Sequence, residues 1–100
     1  MSTLEELHNL MVEQITRRGF YPHDEKSVLL HIVEEVGELS QTLRQGGSEE
    51  TIAFEVADVF WHLLRFCELK NIDLEDAFMA KYKYNESRPL PSKDDDWHGE

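Results

Sequence analysis

Two pairs of acidic residues, placed symmetrically about a double glycine, constrain the fold of this chain more than any other feature. Glu35 and Glu38 lie before the Gly46–Gly47 break. Glu55 and Asp58 lie after it, and i,i+3 spacing puts the members of each pair on one helix face. Each pair is centred ten residues from the break, so an antiparallel helical hairpin would bring them level, about 15 Å from its turn. Four carboxylates at one level repel one another unless a cation binds among them, so the spacing predicts a metal site.

Apolar residues at helical spacing accompany the acidic pairs on both sides of the break. Before it, they predict a core stripe of Leu29, Ile32, Val36, Leu39 and Leu43. After it, the predicted core stripe is Ile52, Val56, Val59, Phe60, Leu63 and Cys67. The acidic pairs, with His31 and His62, follow the neighbouring stripe of each helix, about 100° around its axis. We therefore expect the carboxylates to lie beside the core and to be partly enclosed, where unpaired burial is costly.

Capping signals predict two further helices, and no strand pattern interrupts them. Thr3 and Glu6 have the spacing of a capping box for a first helix. Asp24, Ser48 and Asp73 are suitable N-caps for the three helices that follow. We therefore expect an all-α fold, an antiparallel helical hairpin with flanking helices. A domain of 100 residues buries only about 60–65 % of its unfolded surface, so oligomerisation is expected to complete a four-helix-bundle-like core.

Composition limits the classes of partner. The net charge of −11 argues against a nucleic-acid backbone or an anionic membrane. The polar N-terminus shows no secretory signal, and no apolar run approaches the ~18–20 residues that span a bilayer, so we expect a cytoplasmic protein. Cys67 is the single cysteine and is expected to be a small buried hydrophobe. We expect one domain over residues 1–90 and an acidic, mobile tail over residues 91–100, which has few apolar side chains.

Short motifs follow one another in a distinctive order. Glu34 to Glu38 reads EExxE, and Glu55 to Asp58 reads ExxD, with the glycine turn between them. A basic segment, Lys81-xxx-Asn85-xx-Arg88-Pro89, follows, and His23-xx-Lys26-Ser27 precedes the second helix. This combination resembles the MazG-like all-α nucleoside triphosphate pyrophosphohydrolases over roughly residues 20 to 90. The first acidic motif alone would be weak, since acidic helices contain such spacings by chance.

The resemblance implies a reaction and a set of site residues. The implied activity is Mg²⁺-dependent hydrolysis of an NTP or dNTP to the monophosphate and pyrophosphate, in nucleotide-pool house-cleaning, with Mn²⁺ as a substitute ion. The implied metal ligands, which act through a metal-activated water, are Glu35, Glu38, Glu55 and Asp58. The implied substrate contacts are Lys81, Asn85, Arg88, Lys26 and His23. Glu34 and the histidines are expected to support the ligands rather than bind Mg²⁺, which prefers oxygen. The resemblance also implies a homodimer or homotetramer with sites near subunit interfaces.

Three alternatives remain open from the sequence. Phosphoribosyl-ATP pyrophosphohydrolases share the acidic motif and would differ in substrate. A carboxylate-bridged di-iron bundle typically uses Glu-x-x-His, whereas the third positions here are Glu38 and Asp58. A non-catalytic helical interaction module would simply expose its acidic stripes to solvent, and Mg²⁺ would not change its stability.

Overall fold

The chain folds into α-helices joined by short connections. A computed structural model describes residues 3–19 and 24–89, and these ranges contain helices and turns but no strand. The four helices are α1 (Leu4–Arg17), α2 (Glu25–Arg44), α3 (Glu49–Lys70) and α4 (Leu74–Ser87). The all-α prediction is confirmed for these ranges. His23 and the acidic tail of residues 91–100 lie outside the described residues.

Short polar side chains determine where each helix begins. The Thr3 hydroxyl accepts a hydrogen bond from the Glu6 backbone N–H at 3.1 Å, and the Glu6 carboxylate accepts one from the Thr3 N–H at 3.1 Å. This is the predicted capping box. Asp24, Ser48 and Asp73 cap α2, α3 and α4 by accepting the N–H three residues further on. The predicted caps are therefore all present.

The double glycine makes the turn between α2 and α3. Gly46 adopts a positive φ of 75°, which side chains disfavour. A Cβ on Gly47 would lie 2.5 Å from Cγ2 of Thr42 and 3.1 Å from its carbonyl oxygen. At the open end of the hairpin, Nζ of Lys70 lies 3.3 Å from Oε2 of Glu25. Helices α2 and α3 thus run antiparallel along their length, and we call the surface at which they meet the α2–α3 seam.

The buried apolar side chains lie towards the open end of this hairpin. They come from α1, from the first half of α2 and from the second half of α3: Met11, Val28, Ile32, Leu64 and Cys67. Helix α1 packs on α3 and supplies Met11, which is completely buried. Helix α4 contributes no buried residue and packs against α1. None of the described helices is long and apolar enough to cross a membrane.

The predicted core stripes are wrong for several residues. Leu29, Val36 and Leu43 of α2 are 49 %, 47 % and 63 % exposed, and Val56 and Leu63 of α3 are 51 % and 40 % exposed. These apolar residues lie on the outer surface of the hairpin instead of at the seam.

The reason is a rotation of each helix about its axis. Val28 is buried where Leu29 was expected, and the stripe that carries Glu35 and Thr42 turns towards α3. Both helices are apolar on more than one face, so one hairpin cannot enclose every apolar stripe. The acidic stripes of the two helices lie at the seam, and the second apolar stripe of each helix stays exposed in a single chain.

Candidate active site

One carboxylate from each acidic pair meets the other across the α2–α3 seam. Glu35 and Asp58 share a side-chain hydrogen bond, and the charge of Glu38 acts on Glu35. Glu35 and Asp58 are equidistant from the glycine turn, which is the register that the sequence predicts. We call Glu35, Glu38, Glu55 and Asp58 the acidic cluster.

The crowding of carboxylates changes the protonation of Glu35. The hydrogen bond with Asp58 raises the pKa of Glu35 from 4.5 to about 7, and burial and the negative charges of Asp58 and Glu38 act in the same direction. A positive charge on His31 opposes this shift in pKa. Carboxylates this close cannot all ionise without compensation. The metal-free cluster therefore retains a proton close to neutral pH, and a bound cation would take the place of that proton.

A side chain of α2 holds the carboxylate of Glu55 on α3. The Thr42 hydroxyl donates to Oε1 of Glu55 at 2.9 Å across the seam. The other oxygen, Oε2, is buried and has no hydrogen-bond partner among the described residues. A buried carboxylate oxygen without a partner is costly. A divalent cation such as Mg²⁺ prefers oxygen ligands of this kind.

Two histidines lie beside the acidic cluster. The rings of His31 and His62 meet edge to face, with their centroids 4.4 Å apart and an interplanar angle of 87°. Nε2 of His31 is 3.2 Å from Oε1 of Glu35, and Nε2 of His62 is 3.4 Å from Oδ1 of Asp58. Burial lowers the pKa of His62, and the positive charge of His31 lowers it further. The sequence predicts both histidines on the acidic stripes, and the i,i+4 spacing of each from a carboxylate accounts for these contacts.

Three of the predicted substrate contacts lie on α4 or at its C-terminal end, and not on the two helices that form the seam. Lys81 Nζ is 4.9 Å from the centroid of the Tyr84 ring, and Arg88 Cζ is 5.5 Å from it. Asn85 Oδ1 is buried without a hydrogen-bond partner among the described residues. Lys81 and Asn85 belong to α4, which packs against α1, and Arg88 is the C-cap of this helix. Lys26 is exposed in the first turn of α2.

Comparison with known families identifies the domain. A sequence model of the MazG nucleotide pyrophosphohydrolase domain matches residues 23–89. The chain belongs to the MazG family. We found no similar protein among those with curated functions and no similar chain among solved structures. Membership indicates nucleotide pyrophosphohydrolase activity, and enzymes of the MazG family generally depend on a divalent metal. The matched range contains the acidic cluster, both seam histidines and the polar residues of α4.

A cavity lies elsewhere in the chain. It has a volume of ≈ 380 Å³ and is lined by the start of α1, the end of α3 and the start of α4. Nε2 of His8 lies 2.7 Å from Oε1 of Glu68 in its wall. None of the predicted site residues lines it. The acidic cluster, not this cavity, therefore remains the candidate active site.

Proposed function

We propose that this MazG domain hydrolyses a nucleoside triphosphate, either an NTP or a dNTP, to the monophosphate and pyrophosphate with Mg²⁺. The proposed role is house-cleaning of the cytoplasmic nucleotide pool. The observation that carries the proposal is the contact between Glu35 and Asp58 across the seam, with Glu38 beside them. Such a group of carboxylates needs a proton or a cation at neutral pH. In a nucleotide pyrophosphohydrolase domain, a divalent cation would also bind the phosphates of the substrate.

Each member of the acidic cluster has a proposed role. Glu35, Glu38, Glu55 and Asp58 would hold Mg²⁺ through oxygen ligands, and Mn²⁺ would substitute for it. When bound, Mg²⁺ neutralises phosphate charge and makes a bound water more acidic. Thr42 orients Glu55 by its 2.9 Å hydrogen bond. In the metal-free chain the Glu35–Asp58 pair takes up a proton near neutral pH, and a bound cation would displace that proton.

Positive charge for the triphosphate would come from α4. The chain carries a net charge of −11, so the substrate needs local cations as well as the metal ion. Arg88 would donate bidentate hydrogen bonds to phosphate, and Lys81 would act as a point charge. Asn85 would bind a sugar or phosphate oxygen. Lys26, with His23, would contribute from the start of α2.

We propose that α4 serves the acidic cluster of a neighbouring copy in a homodimer or homotetramer. The apolar residues on the outer surface of the hairpin support this arrangement. Leu29, Val36 and Leu43 recur every seven residues on α2, and Val56 and Leu63 do so on α3, a spacing typical of helix–helix seams between chains. Their exposure in a single chain would be relieved by association.

The proposed reaction is tested with a panel of NTPs and dNTPs, scored for pyrophosphate with Mg²⁺ and Mn²⁺ in parallel. We expect pyrophosphate from at least one nucleotide. Glu38→Gln and Asp58→Asn should each lower kcat by about a hundredfold or more, because each removes a charged metal ligand. Glu50→Gln is the matched control, since Glu50 is an exposed acidic residue at the start of α3.

Three outcomes would contradict the proposal. Full activity in Glu38→Gln or Asp58→Asn would mean that the acidic cluster is not the site. Release of pyrophosphate from phosphoribosyl-ATP alone would assign the domain to that other substrate. Absence of release from every nucleotide, with phosphoribosyl-ATP included, would reject the reaction itself.

A further inference from the structure

Two imidazole rings and one carboxylate converge at the edge of the acidic cluster. One ring nitrogen of His31, one of His62 and one carboxylate oxygen of Glu35 all lie within 4.8 Å of one another. His31 and Glu35 are one helical turn apart on α2, and His62 comes from the facing position on α3. The register of the hairpin therefore brings together a mixed set of nitrogen and oxygen donors.

His62 is the buried donor of this set. This residue is only 9 % exposed, and its Nδ1 is buried without a hydrogen-bond partner among the described residues. Buried polar atoms are nearly always paired, so this nitrogen requires an explanation. Its other ring nitrogen, Nε2, lies 3.4 Å from Oδ1 of Asp58.

A carboxylate lies next to each of the two rings, as is common around histidines that bind a metal. A histidine that binds a metal usually gives its second ring nitrogen to a carboxylate, which fixes the tautomer and the orientation of the ring. Asp58 lies beside His62 in this way. Oε1 of Glu34 lies 3.6 Å from Nδ1 of His31, on the side of the ring away from Glu35. Each ring thus has a carboxylate suited to orient it.

We propose that His31, Glu35 and His62 bind a transition-metal ion of the Co²⁺, Ni²⁺ or Zn²⁺ class, at a position that Mg²⁺ does not fill. Imidazole suits these ions, whereas Mg²⁺ selects oxygen donors and keeps most of its waters. The inference deepens the proposed function, since Glu35 belongs to both donor sets. It makes the metal preference of the domain depend on two histidines and not on the carboxylates alone.

The test uses binding and not catalysis. Metal-free full-length protein is titrated with Zn²⁺ while the imidazole ¹⁵N signals of the histidines are followed by NMR. We expect Zn²⁺ to shift the ring signals of His31 and His62 much further than excess Mg²⁺ does, because Mg²⁺ would bind the neighbouring carboxylates and not the ring nitrogens. His8, which lies on α1 and contacts Glu68, is the internal control and should not shift with the other two.

Two substitutions then test which side chains bind the metal ion. Because His62 is buried, the exposed partner His31 is substituted first. His31→Gln should weaken Co²⁺ binding, measured by calorimetry, by at least about tenfold, because it removes one imidazole donor. Mg²⁺ affinity should change by less than about twofold, since Mg²⁺ prefers oxygen ligands. His8→Gln should bind both ions as the unmodified chain does.

Either of two results overturns the inference. Unchanged Co²⁺ affinity in His31→Gln would remove this histidine from the site, and His31 and His62 signals that fail to shift with Zn²⁺ would remove the site itself. Pyrophosphate release with Mg²⁺, assayed on the same samples, separates this failure from failure of the proposed reaction. An active enzyme without Zn²⁺ shifts rejects only the transition-metal site, whereas an inactive protein with those shifts rejects only the reaction.

Discussion

At the scale of single residues, Glu35 is the side chain most sensitive to what binds at the seam. Asp58, Glu38, His31 and the buried surroundings all act on its carboxyl group. Its pKa of about 7 means that the folded chain binds a proton that the unfolded chain has already released above pH 4.5. The stability that Glu35 contributes is therefore complete below pH 4.5 and is lost as the pH rises through about 7.

Glu35→Gln should remove this dependence on pH. In EDTA, we expect the melting temperature of the unmodified chain to fall, relative to Glu35→Gln, as the pH rises from 4.5 to about 7. The lowered pKa of His62 makes its contribution to stability increase as the pH rises. His62 is present in both proteins, so this contribution cancels in the comparison. Thermal unfolding across this pH range measures the difference. A parallel pH dependence in the two proteins would contradict the shared proton.

Thr42 offers a second test at this scale. Thr42→Val keeps the shape of the side chain but removes the 2.9 Å hydrogen bond to Glu55, whose other oxygen is already without a partner among the described residues. We expect a loss of about 1–2 kcal/mol in the free energy of unfolding, measured by urea denaturation without metal. Thr16→Val, on the exposed surface of α1, is the control and should change stability by less than about 0.5 kcal/mol. Equal effects of the two substitutions would mean that the Glu55 contact adds nothing.

At the scale of helices, the turn at Gly46–Gly47 fixes which residues meet across the seam. Thr42 links the turn to the seam. Its methyl group and carbonyl oxygen lie where a side chain on Gly47 would be, and its hydroxyl donates a hydrogen bond to Glu55. A side chain on Gly47 could be accommodated by rotating Thr42, but that rotation would give up the hydrogen bond to Glu55. The turn and the acidic cluster are therefore coupled through one residue.

Gly47→Ala and Gly37→Ala should differ in the sign of their effects. The Cβ at position 47 would meet Thr42 at 2.5 Å, so we expect Gly47→Ala to destabilise the chain by about 1–3 kcal/mol. A Cβ at position 37 meets nothing within 4 Å, and the substitution should stabilise α2 by up to about 1 kcal/mol. Urea denaturation of both variants measures the difference, and destabilisation by Gly37→Ala would contradict it.

Local signals in the sequence predict the helices, their caps and the register of the hairpin. Capping depends on one side chain and the backbone three residues away, so Thr3, Asp24 and Ser48 reveal helix starts without knowledge of the fold. The face that each helix turns to its neighbour was not predictable in this way. Val28 and Leu29 are both apolar, and the choice between them depends on packing against other helices. The sequence predicts that His31 and His62 lie near the carboxylates. The contact between the two rings was not predictable, for the same reason.

At the scale of the whole molecule, a small acidic chain leaves apolar residues uncovered on two helices. Leu43 is 63 % exposed near the turn, on the stripe that it shares with Leu29 and Val36. We expect the unmodified chain to sediment as a dimer or tetramer and Leu43→Lys to sediment as a smaller species, because burying a lysine in an apolar interface is costly. Leu10→Lys, at a 55 % exposed position on α1, should leave the sedimentation unchanged. A monomeric unmodified chain would contradict the proposed association.

Mixing two inactive variants tests whether α4 completes the site of a neighbouring copy. Asp58→Asn damages the acidic cluster, and Arg88→Ala removes a proposed phosphate contact on α4. If each site combines the cluster of one chain with α4 of the other, a mixed dimer holds one site with both defects and one site with none. Denaturing and refolding an equal mixture should then restore about a quarter of the activity of the unmodified enzyme, since half of the dimers are mixed and each has one intact site. If α4 serves its own chain instead, every site in the mixture carries one defect, and the activity stays at the level of the separate variants.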